Sequence, residues 1–177
     1  MAENLNVGTK ILGSSDQTNN GIIEKYCYND DVNNCTVYGG LYQWSEAMQY
    51  VTTEGTKGIC PIGWHLPTDA EWTVLTTFLG GENGAGRNMK SIGTIQAGTG
   101  LWFEPNGANN SSGFTGLPGG YRNHYGNFLF LTGNAGFWSS SENLSTDAWF
   151  RGLDSSEDVS RMTFYITTGF SVRCLKN

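Results

Sequence analysis

Four cysteines, two histidines and one acidic run are the residues here whose types could do chemistry. Cys27 and Cys35 flank a polar stretch, residues 28–34. A disulfide closing that short loop is the natural reading, and it suits an oxidising compartment. Cys60 and Cys174 would then join the middle of the chain to its last strand. Four reduced, buried thiols are the alternative, because spacing alone does not fix pairing. Zinc fits poorly: there is no Cys-x-x-Cys pair, and only His65 and His124 could complete a ligand set. Either histidine could act as a general base, but no G-x-S-x-G or H-E-x-x-H motif is present. Pro118-Gly119-Gly120-Tyr121 lacks the Lys and the following helix of a phosphate-binding loop, so its glycines read as turn formers. Asp154, Glu157 and Asp158 read as a solvated face rather than a metal cage. The residues thus give no catalytic group, no metal site and no cofactor motif.

The elements that would position these groups are short. Residues 4–12 and 22–28 read as strands. Leu41, Trp44, Ala47, Met48 and Val51 fall at helical spacing. Thr68 followed by Glu71 is a capping box, and it opens a helix that runs to a stop at Gly80-Gly81. Residues 81–125 are rich in Gly and Asn and predict a long segment packed on itself. Short strands are predicted over 128–131, 136–139, 148–153 and 170–175. Helices early and strands late suggest an α+β fold.

The 177 residues suit one domain. A net charge of −6 argues against nucleic acid or an anionic membrane as partner. Aromatics at 13% exclude a disordered acidic segment, while 25 glycines and only 15% charged residues suggest turns around an aromatic core. No apolar run approaches the roughly 20 residues that span a bilayer, so no direct membrane insertion is expected. No signal peptide is visible, so export would require a leader outside this sequence.

Cys60-Pro61-x-Gly63-Trp64-His65-Leu66-Pro67-Thr68-Asp69-Ala70-Glu71-Trp72 resembles the hallmark of the Fibrobacter succinogenes major paralogous domain family. Met1-Ala2-Glu3-Asn4-Leu5-Asn6, Tyr38-Gly39-Gly40-Leu41-Tyr42-Gln43-Trp44, Leu117-Pro118-Gly119-Gly120-Tyr121-Arg122, Phe137-Trp138-Ser139-Ser140-Ser141-Glu142 and Ser171-Val172-Arg173-Cys174 extend the match in order along the chain. That family is similar to the formylglycine-generating-enzyme branch of the C-type lectin fold. The resemblance implies a single C-type-lectin-like domain over 1–177, with two helices flanking a twisted, mostly antiparallel sheet, long loop inserts and adjacent termini. It also implies exported or surface-attached bacterial proteins, often lipoproteins, and it fits a bond between Cys60 and Cys174. Trp44, Trp64, Trp72 and Trp138 lie in these motifs and are expected in the core, with Trp102 undecided. His65 is explained the same way, as a fold residue.

A second resemblance covers residues 137–174 and points to the variable region of proteins diversified by retroelements, in bacteria or phage. Its frame is Trp138-Ser139-Ser140-Ser141, Ala148-Trp149-x-Arg151-x-Leu153, Val159-x-Arg161 and Gly169-Phe170-Ser171-Val172-Arg173-Cys174. Between frame positions stand Phe150, Gly152, Asp154, Ser155, Ser156, Asp158, Ser160, Thr163, Phe164 and Tyr165, each reachable from an Asn codon by changing adenines. Glu157 and Met162 need a Lys-type codon. These twelve residues are expected to form a solvent-facing patch, within residues 143–167, that binds a protein or cell-surface macromolecule. Phe150, Met162, Phe164 and Tyr165 would give contact area, the acids would steer a basic partner, and Ser155, Ser156 and Gly152 would adapt. The competing expectation is an ordinary hairpin whose aromatics are core.

Rival functions are weaker. Formylglycine-generating enzymes use two cysteines close together near the C-terminus, whereas Cys174 stands alone there. Glu104-Pro105-Asn106 is a tripeptide of calcium lectins, but calcium needs about six to eight oxygens, and the expected partner tripeptide is replaced by Trp149-Phe150-Arg151. A structural surface module without a ligand is the remaining alternative.

Overall fold

A computed structural model of the chain describes all of residues 1–177. β1 (Thr9–Lys10) pairs in parallel with β2 (Glu24–Lys25), so regular pairing covers only part of the two predicted strands. Residues 28–34 are not a plain polar turn. A 3-10 turn at Tyr28–Asp30 leads into helix α1 (Val32–Tyr38), capped by Asp31, which accepts from the Asn33 amide. The Cys27–Cys35 disulfide clamps turn to helix. The helix predicted over 41–51 shrinks to α2 (Trp44–Ala47). Gln49 and Tyr50 adopt left-handed backbone angles (φ 52° and 59°), which end the helical ladder.

β3 (Trp64–His65) leads to α3 (Asp69–Phe78), whose capping box forms as predicted. The Thr68 hydroxyl accepts from the Glu71 amide at 3.1 Å, and the Glu71 carboxylate accepts from the Thr68 amide at 2.8 Å. Helix α4 (Glu82–Met89), with non-helical angles at Asn83 and Gly84, arises inside the stretch predicted to be loop. β4 (Tyr121–Arg122) and β5 (Phe128–Leu129) form a hairpin. β6 (Ala135–Leu144), β7 (Asp147–Leu153) and β8 (Ser160–Tyr165) form a three-stranded antiparallel meander. β8 was not among the predicted strands; the adjacent rings of Phe164 and Tyr165 interrupt its alternation. β9 (Leu175–Lys176) pairs with β3. The strand predicted over 170–175 is otherwise an extended run, bridged at Phe170 to Tyr42 and at Ser171 to Phe137.

The architecture is α+β, with four short helices in place of the expected two and several small, mostly antiparallel sheets. The N-terminal amine donates to the Cys174 carbonyl at 2.9 Å, so the termini are adjacent. The largest core cluster joins Trp44, Trp138, Phe150, Phe170 and the Cys60–Cys174 disulfide. A second gathers Trp72, Trp102, Phe137 and Leu153, which places Trp102 in the core. The four buried indoles donate to carbonyls: Trp44 to Ser139, Trp72 to Trp138, Trp102 to Gly116, and Trp138 to Tyr42. Trp64 departs from expectation; it is half-buried at the rim of the main cluster.

The two disulfides differ in the loops they close, with sequence separations of 8 and 114. Chain entropy assigns about 2.5 kcal/mol to the first and about 5 kcal/mol to the second. Replacing Cys60 and Cys174 together by Ser is expected to lower the Tm by about 10–20 °C, and replacing Cys27 and Cys35 by about half of that. Calorimetry of the two double variants checks the order.

His65 bridges α3 to the C-terminus, with Nε2 at 3.0 Å from Glu71 Oε1 and Nδ1 at 2.7 Å from Asn177 Oδ1. Burial works to lower the His65 pKa, but the bonds to Asn177 and Glu71 and the Glu71 charge outweigh it and raise it above 6.5. Burial likewise pushes Glu71 up, while bonds from Thr68 and His65 carry it below 4.5. The His65 contribution is therefore complete below pH 6.5 and lost as pH rises through its folded value. The Glu71 contribution is complete above pH 4.5 and lost as pH falls through its folded value. The Tm advantage of the native chain over His65→Gln should be largest between these limits, about 1–3 °C, and should fade above neutrality. Melting curves across pH measure it; an advantage that grows with alkalinity would contradict the pairing.

Candidate functional site

The register of the meander decides where the twelve expected surface residues lie. β7 pairs with β8 through Ala148–Phe164, Phe150–Met162 and Gly152–Ser160 on one face, and through Trp149–Thr163, Arg151–Arg161 and Asp147–Tyr165 on the other. Strand alternation therefore divides the expected patch between two faces. Phe150, Gly152, Ser160, Met162 and Phe164 share one, while Thr163 and Tyr165 belong to the other. Phe150 and Gly152 are not solvent-facing as expected. Phe150 is 7% exposed, stacked on Phe170 at 4.6 Å and 9° between planes. Gly152 is buried, and an added Cβ would meet the Phe150 ring at 3.3 Å. Both are set by packing against the core.

The opposite face is braced by charge. Arg151 is fully buried and donates to Asp69 Oδ1 at 2.6 Å, while Arg161 donates to Asp69 Oδ2 at 2.7 Å and lies 3.9 Å over the Trp149 ring. Burial alone would raise the Asp69 pKa, but hydrogen bonds from Arg161 and Arg151 draw it below the usual carboxylate value.

On the core side the hairpin borders a groove of about 220 Å³. Phe150, Phe164 and Phe170 form its floor, and Tyr121, Phe130 and Met162 its walls. Asn134, Asp154 and Ser160 supply its polar edge. Phe164 is half-buried and meets Phe150 and Phe170 edge-on at 5.7 and 5.6 Å, so its ring serves both core and groove. Met162 and Phe130 are more than half exposed.

The β7–β8 connection, residues 154–158, is the exposed part of the site. Its anchors are main-chain groups. The fully buried Lys90 donates from Nζ to the carbonyls of Asp154 (2.8 Å) and Ser156 (2.7 Å). The Arg87 amide donates to Glu157 O, and the Val159 amide to Glu82 O. Gly86 lets α4 approach: a Cβ there would stand 2.2 Å from Asp158 O. Burial lowers the Lys90 pKa, with the Asp154 and Glu157 charges acting the other way. Ser155, Ser156, Glu157 and Asp158 are exposed, as expected, and Asp154 is half-buried.

Sequence reasoning missed Lys90, Gly86, Phe130 and Asn134, and it assigned Tyr121 to a fold motif alone. Nothing local in Met89-Lys90-Ser91 signals a cation that reaches residue 154; the contact exists only in three dimensions.

The chemical candidates are engaged elsewhere. All four cysteines are in disulfides. His124 lies between the rings of Tyr125 (3.9 Å, tilted) and Tyr165 (4.7 Å, edge-on). The Glu104 carboxylate accepts from Thr94, and Asn106 donates to the carbonyls of Ser91 and Gly93. Three His, Cys, Asp or Glu side chains suited to hold a metal do not come together anywhere in the fold, and Asp154, Glu157 and Asp158 are no exception. No helix is long and apolar enough to cross a membrane.

No curated protein and no solved structure matches the chain. A family model does: residues 1–176 match the Fibrobacter succinogenes major domain, and the chain belongs to that family.

Proposed function

We propose that this chain is a non-enzymatic binding module of C-type-lectin-like fold, belonging to an exported or cell-surface protein of a bacterium or to a phage particle. Its C-terminal hairpin and groove receive a protein or other surface macromolecule, and the hairpin is a region diversified by a retroelement. The carrying observation is how burial sorts the two sets of residues. Of the frame positions, Trp138, Ala148, Arg151, Leu153, Val159 and Phe170 are at most 2% exposed, while Trp149 is half-buried and Arg161 is exposed but pinned to Asp69 and the Trp149 ring. Apart from Phe150 and Gly152, the positions between them are half-buried or exposed. A loop fixed by its main chain tolerates exchange of its side chains. An aromatic groove with a polar edge is the common form of a binding site.

Two disulfides favour an oxidising compartment. The net charge of −6 disfavours nucleic acid. A formylglycine-generating activity would need a reactive cysteine pair, whereas Cys174 is bonded to Cys60.

The packing separates stability from binding. Phe150→Ala should destabilise by about 3–5 kcal/mol, as truncation of a core aromatic does. Met162→Ala and Tyr165→Ala should stay within about 0.5 kcal/mol. Chemical denaturation measures all three. Sequencing codons 137–177 in the source population tests the diversification. Substitutions should concentrate at residues 154–158, 160 and 162–165 and arise at adenines of a nearby template copy; a fixed stretch without such a copy would overturn it.

A further inference from the structure

Three arginines lie in or beside the strands around the groove, and all turn away from it. Arg151 and Arg161 reach Asp69 on the opposite face. Arg122 is buried and spent on the carbonyls of Gly13 and Thr167 and on Asp16. No Lys or Arg side chain lines the groove. Lys90, just after α4, reaches the carbonyls of the adjoining loop, and that loop carries three carboxylates, those of Asp154, Glu157 and Asp158.

The polar groups on the groove's edge have hydrogen-bonding capacity left over. The Tyr121 hydroxyl, the Asn134 side-chain amide and the Ser160 hydroxyl make no hydrogen bond within the fold, although all three residues are half-buried. The Asp154 carboxylate is engaged only through Oδ1, by the Ser156 amide at 2.8 Å. All four groups can accept hydrogen bonds, and the carboxylate can only accept. The other three can also donate, so the carboxylate decides: the complementary ligand is rich in donors, is positively charged and has a surface that lies against aromatic rings. A guanidinium has these properties: five N–H donors, a flat face that stacks on rings, and weaker hydration than an ammonium. Its aliphatic stem would cover Met162 and Phe164.

At the end of the edge strand β8 the Tyr165 ring, on the other face, lies 6.4 Å from Phe164 and 4.7 Å from His124, which lies 3.9 Å from Tyr125, 77% exposed, so aromatic surface extends around the strand edge. That added surface favours a protein that carries the side chain over a free amino acid. Building on the reading of this surface as a binding site, we propose that the groove takes an arginine side chain presented by a protein partner, with its guanidinium at Asp154.

Two measurements test it. Nα-acetyl-arginine amide and its neutral citrulline counterpart are titrated into the labelled full chain and followed by NMR. The arginine probe should shift the Met162 methyl and Phe164 ring signals and bind at least about tenfold more tightly than the citrulline probe. Asp154→Asn, which preserves the acceptor for the Ser156 amide, should abolish that preference. Equal titration by both probes, or no shift at Met162 and Phe164, overturns the inference. Random peptides displayed on phage are then panned on the native chain and on Met162→Ala. Binders lost on Met162→Ala that carry arginine, and that weaken about tenfold on Asp154→Asn, support it. Binders lost on Met162→Ala but free of arginine, or indifferent to Asp154→Asn, refute the arginine and leave the surface. If no binder depends on Met162, the surface reading falls too.

Discussion

Arg173 is a fully charged side chain buried without a carboxylate partner, and the joining of the two chain ends depends on how it is solvated. Its Nε donates to Asn4 Oδ1 at 2.6 Å, and its terminal nitrogens donate to the carbonyls of Met1, Phe114 and Thr115. The guanidinium lies 4.4 Å over the Phe114 ring. Burial pushes its pKa down to about 10, still high enough to keep it protonated at neutral pH. Removing such a charge from water costs several kcal/mol, which only a complete set of acceptors offsets. That requirement fixes the N-terminal segment, the loop at 114–115 and the extended C-terminal run in one arrangement. Next to it, Cys174 is bonded to Cys60, so the same point is tied covalently to the turn before β3.

Arg122 and Lys90 repeat the device. Each is buried, and each is held chiefly by main-chain carbonyls of distant loops. In a chain with so few long elements, loops cannot satisfy their carbonyls through ladders, and a buried cation satisfies two or three at once. Using the cations internally has a consequence for the surface. The basic side chains near the meander are committed to bracing, and the groove face is left aromatic and acidic.

The legible parts of this fold were those specified by neighbouring residues. Thr68 and Glu71 close their capping box because both partners lie within one helical turn. Gly80 and Gly81 end α3 because left-handed angles suit glycine (φ 107° and 97°). Helices α1 and α4 were hidden because little of their stability is in an apolar stripe. α1 buries only Cys35 and Tyr38 and is held by a disulfide, and α4 is rich in Gly and Asn. The candidate site was half legible. The frame motifs that carry the second resemblance marked residues 143–167 as a candidate surface, but its division into two faces needed the register. Phe150 was misplaced because an aromatic between frame positions looks the same in sequence whether it meets solvent or Phe170.

The site thus contains two kinds of position with different freedom to change. At residues 154–158 the bonds that tie the loop to the rest of the fold run through main-chain groups, from Lys90 and Arg87 and from Val159 to Glu82, so exchanging the loop's side chains leaves them in place and removes only the local bonds that Asp154 and Ser156 accept from the Ser156 and Asp158 amides. Phe164 is different. Its ring contributes to the packing of Phe150 and Phe170, and a smaller residue there would open a cavity as well as reshape the groove. Diversity at the loop is therefore cheap, whereas diversity at the groove floor trades stability for shape. If the groove holds one anchoring side chain as proposed, Phe164 and Asp154 are the positions that must stay, and residues 155–158 beside them are the ones free to change to suit the rest of a partner.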